Sequence, residues 1–123
     1  MASFKSFEEI NAWKKGHSLV LEIYKLTDLS KELRNDFGLR DQLRRSAVSI
    51  TSNIAEGHER NSKKDFARFL NMAKGSAAEL RNQILVARDL NYISDHDHKR
   101  LHSELIEIGS MLSGLRKYLL NEQ

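Results

Sequence analysis

Apolar residues recur every three or four positions through most of this chain of 123 residues, and no proline interrupts them. The clearest run steps by 4, 3, 4, 3 and 4 residues and comprises Leu101, Leu105, Ile108, Leu112, Leu115 and Leu119. This spacing is typical of helices that bury one face against their neighbours. Because proline disrupts helix interiors and sustained β-branched runs are missing, the pattern predicts an all-α fold.

The same periodicity predicts four helices in a single domain over residues 1–123. Ser6 with Glu9, and Ser62 with Asp65, have the spacing of helix-capping pairs, and Gly57 is expected to end a helix. The predicted helices cover residues 7–27, 36–57, 63–90 and 95–120. Since short connections make neighbouring helices run antiparallel, we expect an up-down-up-down four-helix bundle.

Some apolar side chains lie outside the predicted core stripes. On the first helix the stripe follows Trp13, Val20 and Tyr24 with Ile10 and Ile23 beside them, which places Leu19 and Leu26 off the core. On the third helix a second set points away from the core and comprises Met72, Gly75, Glu79, Val86 and Leu90. Such surplus apolar surface predicts a homo-oligomeric interface. A slightly rotated helix that buries these residues within the bundle is the alternative.

The segment Arg44–Gly57 keeps helical spacing but places small polar side chains between its apolar ones. Asn53 and Ser46 lie nearer the core face, where a buried amide needs hydrogen-bond partners. A polar flank recurs at i, i+4, i+7 and i+11 and comprises Arg45, Ser49, Ser52 and Glu56. These residues predict close packing of helices or subunits, and a functional pocket is the alternative.

The net charge of +3 is unevenly distributed. Residues 34–88 contain eleven basic and six acidic residues, whereas residues 89–123 contain four basic and six acidic ones. One flank of the third helix carries Lys63, Lys74, Arg81 and Arg88, and the second helix adds Arg40 and Arg44. We predict that these residues bind RNA or DNA through phosphate contacts. An ordinary solvated flank, on a scaffold whose partner is a protein, is the alternative.

Metal, cofactor and catalytic functions have weaker support. His96, His98 and His102 cluster near a helix start, but Asp95 and Asp97 favour the helix dipole there without a metal. We therefore predict no metal site and no cofactor, and we expect His17 to be a structural histidine on the core side.

No catalytic motif stands out either. Glu56 and Glu79 lie near arginines, and an arginine partner favours the charged carboxylate, which makes a poor general acid. The chain has no nucleophile elbow, no phosphate-binding glycine loop and no Glu-x-x-His pair of the di-iron bundles. We expect a protein that is not an enzyme and has no small-molecule substrate.

The sequence also predicts a compartment. It has no cysteine, no apolar run near the ~20 residues that span a bilayer, and no apolar segment at its amino-terminal end. We expect a cytoplasmic protein without a membrane partner.

Several motifs together resemble a known family. They are Trp13, Phe37–Leu39, Gln42–Ile50, Ser52–Gly57 and Lys74–Leu80. The chain resembles the four-helix bundle proteins encoded in intervening sequences of bacterial large-subunit ribosomal RNA genes. The resemblance implies a ring-like oligomer, a homopentamer, without an established molecular function. The similar accessory proteins of diversity-generating retroelements bind nucleic acid and a reverse transcriptase through a basic surface.

Overall fold

The computed structural model describes residues 4–121, and no β-strand occurs among them. A 3-10 turn at Phe7–Glu9 precedes five helices: α1 (Asn11–Leu29), α2 (Lys31–Asn35), α3 (Phe37–His58), α4 (Lys63–Asp89) and α5 (Asp95–Asn121). The predicted all-α class is confirmed.

The four long helices enclose one core. α3 packs against α1 and α4, α4 packs against α5, and α5 returns to contact α1. Arg44, near the start of α3, bonds to Asp28 at the end of α1, and Arg100, near the start of α5, bonds to Glu22 of α1. These pairs show that α1 runs antiparallel to α3 and to α5. Leucine, isoleucine and alanine side chains from all four helices fill the space between them.

The buried face of α1 differs from the predicted stripe. Leu19 is 1% exposed, whereas Tyr24 is 41% exposed, so the placement of Leu19 off the core is wrong. Leu26 is also partly buried and packs against the core. Gly16 explains the rotation, because a Cβ at this position would lie 3.0 Å from Cγ2 of Thr51 on α3. For α1, therefore, the alternative interpretation is correct: the helix is slightly rotated and buries these residues within the bundle.

The ends of the first helix also differ from the prediction. The Ser6 hydroxyl accepts a bond from the Glu8 amide and caps the 3-10 turn, and the Glu9 carboxylate accepts from the Lys5 amide at 2.9 Å. The reciprocal Ser6–Glu9 capping box is therefore not formed, and α1 begins at Asn11.

The connection between α1 and α3 contains the short helix α2. The Ser30 hydroxyl caps it by accepting from the Leu33 amide at 3.2 Å, and donates to the carbonyl of Tyr92 at 2.9 Å. Leu33 is fully buried. The next helix, α3, begins where Asp36 accepts from the Leu39 amide at 3.1 Å. A stretch predicted as a polar connection is thus a helical turn anchored to the core.

The packing of α3 against α4 is closest at Gly57. A Cβ at Gly57 would lie 2.7 Å from Cβ of Phe69 and 3.3 Å from the carbonyl oxygen of Phe66. Gly57 has no positive φ angle, and α3 continues to His58. The helix therefore ends one residue after the predicted position, and it does so without a left-handed glycine. Glycine instead provides room for the aromatic residues of α4.

Asn91 forms the tight turn between α4 and α5. Its φ angle is 62°, in the left-handed region, and its amide donates to the Arg88 carbonyl at 2.8 Å. The Tyr92 amide donates to the Ala87 carbonyl at 2.8 Å, which completes the paired bonds of a Schellman motif. Asparagine tolerates this conformation better than most residues other than glycine.

The contact at Gly57 predicts a difference between two Gly→Ala substitutions. Gly57→Ala should lower the free energy of unfolding by about 1–3 kcal/mol, because the added methyl group overfills a rigid contact. Gly114→Ala is the control, since a Cβ at this exposed position of α5 meets nothing within 4 Å. It should raise stability by about 0.5–1 kcal/mol. Urea unfolding measures both, and equal effects would contradict the proposed close contact.

Candidate functional site

The flank of α4 that faces α5 forms a long groove, which we call the α4–α5 groove. Two adjoining cavities, of about 580 and 280 Å³, make up the groove and share Ala78 and Arg81. The other lining residues are Lys74, Ala77, Asn82, Leu85, His98, His102, Leu105, Ile106, Gly109, Ser110 and Ser113. None of these side chains is acidic. The groove is therefore basic and rich in hydrogen-bond donors.

Glu104 and Glu107 of α5 face α1 instead of the groove. Glu107 pairs with Lys15 at 3.2 Å, and Arg100 bonds to both Glu22 and Glu104. Burial, followed by the nearby Glu22 carboxylate, raises the pKa of Glu104, and Arg100 opposes that rise. The sequence alone did not indicate this cluster, because Glu22 and Arg100 are far apart in the chain. Its effect is to keep carboxylates away from the α4–α5 groove.

The basic residues predicted on α4 fall into three environments. Lys74 and Arg81 line the α4–α5 groove, and neither forms an ion pair with any residue in the range 4–121. Arg88 pairs with Asp89 at 3.0 Å. Lys63 lies in the first turn of α4, about 16 Å along the helix from Lys74. Only two of the four residues thus face the groove directly.

Arg40 and Arg44 do not join this flank. Arg44 donates to the Thr27 hydroxyl at 2.8 Å and to Asp28 at 2.9 Å, and its guanidinium lies 4.5 Å from the ring centroid of Tyr24. Arg44 therefore holds α3 against α1. Arg40 similarly pairs with Asp41 at 3.0 Å and lies over a phenylalanine ring next to α2.

The opposite flank of α4 adjoins the outer side of α3, and we call this surface the α3–α4 face. A bond of 2.8 Å between the hydroxyls of Ser49 and Ser76 joins the two helices beneath it. At 100° per residue, the predicted interface residues of both helices point toward this face. They are Arg45, Ser49, Ser52 and Glu56 on α3, and Met72, Gly75, Glu79 and Val86 on α4; all but Ser49 are exposed.

The amide of Asn53 has partners within its own helix. It donates to the Ser49 carbonyl at 2.9 Å and contacts the Ser49 hydroxyl at 3.2 Å. Ser46 is buried beside it. The cavity of about 600 Å³ next to this segment is lined by Tyr24, Arg45 and Ser52, among others, but not by Asn53. Because the hydrogen bonds of Asn53 stay within α3, its role is in helix packing and not in a pocket.

The histidines occupy different environments from one another. His98 is buried, and its ring stacks on that of His102 at a centroid distance of 5.8 Å. Within residues 4–121, no three His, Cys, Asp or Glu side chains converge on a possible metal position. His17 is exposed and stacks on Trp13 at 4.7 Å, so its placement on the core side is wrong.

His98 predicts a loss of stability at low pH. Burial, followed by the positive charges of Arg88 and His102, lowers the pKa of His98, and Asp89 and Asp95 oppose the shift. The unfolded chain therefore takes up a proton at this site at higher pH than the folded chain does. The free energy of unfolding should fall as the pH drops below about 6.5, the ordinary histidine value.

Urea unfolding at several pH values measures this effect. His98→Gln should make the pH dependence shallower. His96→Gln alters an exposed residue in the same helical turn and is the matched control. Equal slopes for the two variants would contradict the assignment to His98.

No helix in residues 4–121 is long and apolar enough to cross a membrane. No curated protein matches the chain. Among solved structures, a protein of unknown function from the S23 ribosomal protein family of Bacteroides thetaiotaomicron VPI-5482 is similar, with a TM-score of 0.80 and 24% identity. The match covers 86% of this chain and 98% of that one, and it indicates a shared fold.

A family model provides the remaining comparison. The model described as "23S rRNA-intervening sequence protein" matches residues 8–114, which include all the motifs on which the resemblance was based. The chain therefore belongs to the family of 23S rRNA-intervening sequence proteins.

Proposed function

We propose that this protein is a non-enzymatic, homo-oligomeric four-helix bundle that binds RNA or DNA in the α4–α5 groove. The observation that carries this proposal is the groove itself, where Lys74 and Arg81 have no ion-pair partner in residues 4–121 and no acidic side chain lines the walls. Unpaired cations beside serine and asparagine donors suit a phosphate backbone. We place this activity in the cytoplasm, in keeping with the lack of cysteine.

We further propose that the α3–α4 face is the contact between subunits of a ring of five. Met72 and Val86 are 45% and 41% exposed, and Gly75 has open space above its Cα within the chain. Arg45 and Glu79, of opposite charge, also lack ion-pair partners in the described range. A second copy would cover the apolar side chains and offer partners to both charges. The number five comes from the family resemblance.

These two assignments are compatible because they use opposite flanks of α4. Subunits that meet through the α3–α4 face leave the α4–α5 groove open to solvent. Each groove then recurs once per subunit around the ring. Weak phosphate contacts at the separate grooves would add up on one long strand.

A protein-binding scaffold is the second candidate. It is favoured by two apolar side chains next to α2, since Leu29 and Phe37 are 72% and 65% exposed. A protein partner on this surface would be held mainly by apolar contacts, so its binding should depend little on salt.

The first test concerns the groove. The test variant combines Lys74→Gln and Arg81→Gln in the groove with Arg88→Gln, whose charge lies near the groove residue His98. It should weaken binding of single-stranded RNA or DNA by at least about tenfold. It should also flatten the salt dependence, because each lost phosphate contact lowers the logarithmic slope by about 0.7. Fluorescence anisotropy at several salt concentrations measures both quantities.

The matched control is Lys14→Gln, Lys25→Gln and Lys31→Gln. It removes the same charge from exposed residues of α1 and α2 that have no ion-pair partner in the described range. If both triple variants lost the same amount of binding affinity, only the net charge of the protein would matter. That result would contradict the assignment of binding to the groove. Binding that is tight but insensitive to salt would favour a different kind of partner.

The second test concerns assembly. Light scattering should give the wild type a particle mass five times the 14.2 kDa of one chain. Gly75→Leu should reduce that mass, because the side chain would occupy the space that the neighbouring subunit needs. Gly114→Leu places the same side chain at an exposed glycine of α5 and should leave the mass unchanged. A monomeric wild type, or an unaffected Gly75→Leu variant, would exclude the proposed contact.

A further inference from the structure

Another cavity lies at the end of the molecule where α3 passes into α4. We call it the end cavity; its volume is about 790 Å³. It is lined by residues of the α3–α4 connection and the first turns of α4, and by Arg116 and Leu120 of α5. None of these residues belongs to the groove or to the α3–α4 face, so the functions proposed above do not account for it.

The charges around the end cavity are unbalanced. Arg60, Lys64, Arg68 and Arg116 line it, and its two acids are Glu59 and Asp65. Four cations against two acids leave an excess of two positive charges among the lining residues, and the pairing of Arg60 with Glu56 just outside the lining reduces it to one. A phosphate monoester carries close to two negative charges at neutral pH.

Two arginines of the cavity are paired with carboxylates, and two other cations are not. Asp65 accepts from Arg68 at 2.9 Å and lies 3.8 Å from Arg60, and Arg60 also pairs with Glu56 at 2.9 Å. Glu59 lies 3.6 Å from His58, which compensates its charge only when the imidazole is protonated. Lys64 and Arg116 have no ion-pair partner among the described residues.

Arg116 gives the stronger indication of a ligand. Its Nε atom is buried and has no hydrogen-bond partner in the described range. A buried N–H group without an acceptor is costly, and an anion that reached this Nε atom would remove that cost. The guanidinium groups of Arg60 and Arg68 are held over the Phe69 ring, at 4.5 and 4.7 Å from its centroid.

We propose that the end cavity binds a phosphate monoester dianion through Lys64 and Arg116. The cavity also lies in line with the α4–α5 groove. Asn71 and Arg116 line the cavity, and one helical turn further on, Lys74 and Ser113 line the groove. The phosphate can therefore come from a free nucleotide or from the terminus of a nucleic-acid strand in the groove, and only the second source depends on the proposed function.

Titration calorimetry and NMR titrations with small molecules test the site directly. Adenosine 5′-monophosphate and inorganic phosphate should bind and should shift the amide signals of residues 62–65, whereas adenosine should not. Lys64→Gln and Arg116→Gln should each weaken binding of the monophosphate at least about tenfold. Lys99→Gln changes an exposed lysine at the other end of the molecule and should have no effect. Equal binding of adenosine, or unchanged binding in both cavity variants, would overturn the proposal.

Thermal unfolding checks that the cavity variants remain folded. Because Lys64 is exposed, the Lys64→Gln variant should have the same melting temperature as the wild type. The binding test therefore remains valid even if Arg116→Gln lowers the stability of the fold.

A second experiment distinguishes the two sources of the phosphate. Single-stranded RNA with a 5′- or 3′-terminal phosphate should bind at least about fivefold more tightly than the same RNA with hydroxyl ends. Arg116→Gln should abolish that advantage, and Lys74→Gln should preserve it while weakening both RNAs. If the monophosphate binds and no RNA does, the end cavity is supported and the groove function fails. If RNA binds through Lys74 but the monophosphate does not bind, the groove stands and the end cavity fails.

Discussion

The close approach of α3 to α4 is the constraint on which both surfaces depend. Gly57 has no side chain, and the space above it is taken by Phe66 and Phe69, while the hydroxyls of Ser49 and Ser76 meet at 2.8 Å. Small residues at these positions allow the helices to pack with little between them. The outer sides of α3 and α4 therefore merge into one exposed face, and the rotation of α4 about its axis is fixed. Its opposite flank must then face α5.

The positive charge of the α4–α5 groove depends on a second set of contacts, between α5 and α1. Glu104 and Glu107 pair with residues that include Arg100 and Lys15, along the boundary with α1. The side chains of α5 that form the groove wall include no carboxylate. The field in the groove is then set by Lys74 and Arg81 of α4. The ion pairs between α5 and α1 thus leave the groove on the other side of α5 basic.

The sequence predicts the buried face of α4 well and that of α1 poorly, for a physical reason. The apolar residues that follow one another at helical spacing on α4 are all buried; they are Phe66, Phe69, Leu70, Ala73, Ala77, Leu80, Ile84 and Ala87. On α1 the buried face includes Gly16 and Thr27, and Thr27 satisfies its hydroxyl by donating to the Ile23 carbonyl at 2.8 Å. Trp13 and Tyr24 lie at the rim instead, as amphipathic rings often do. Pattern alone also could not show that Arg44 is paired, because Asp28 lies on another helix.

The composition of the groove limits the kind of recognition it can achieve. Its walls offer lysine, arginine, serine and asparagine donors, and no phenylalanine, tyrosine or tryptophan lines them. His98 and His102 are the lining residues with rings, and His98 is buried, so stacking would be limited; contacts would go mainly to phosphates and would carry little sequence information. Selectivity would have to come from the spacing of grooves in the assembly and from the end of the strand. The end cavity lies one helical turn beyond the groove, so under the proposed function the length of a strand and its terminal phosphate would decide recognition.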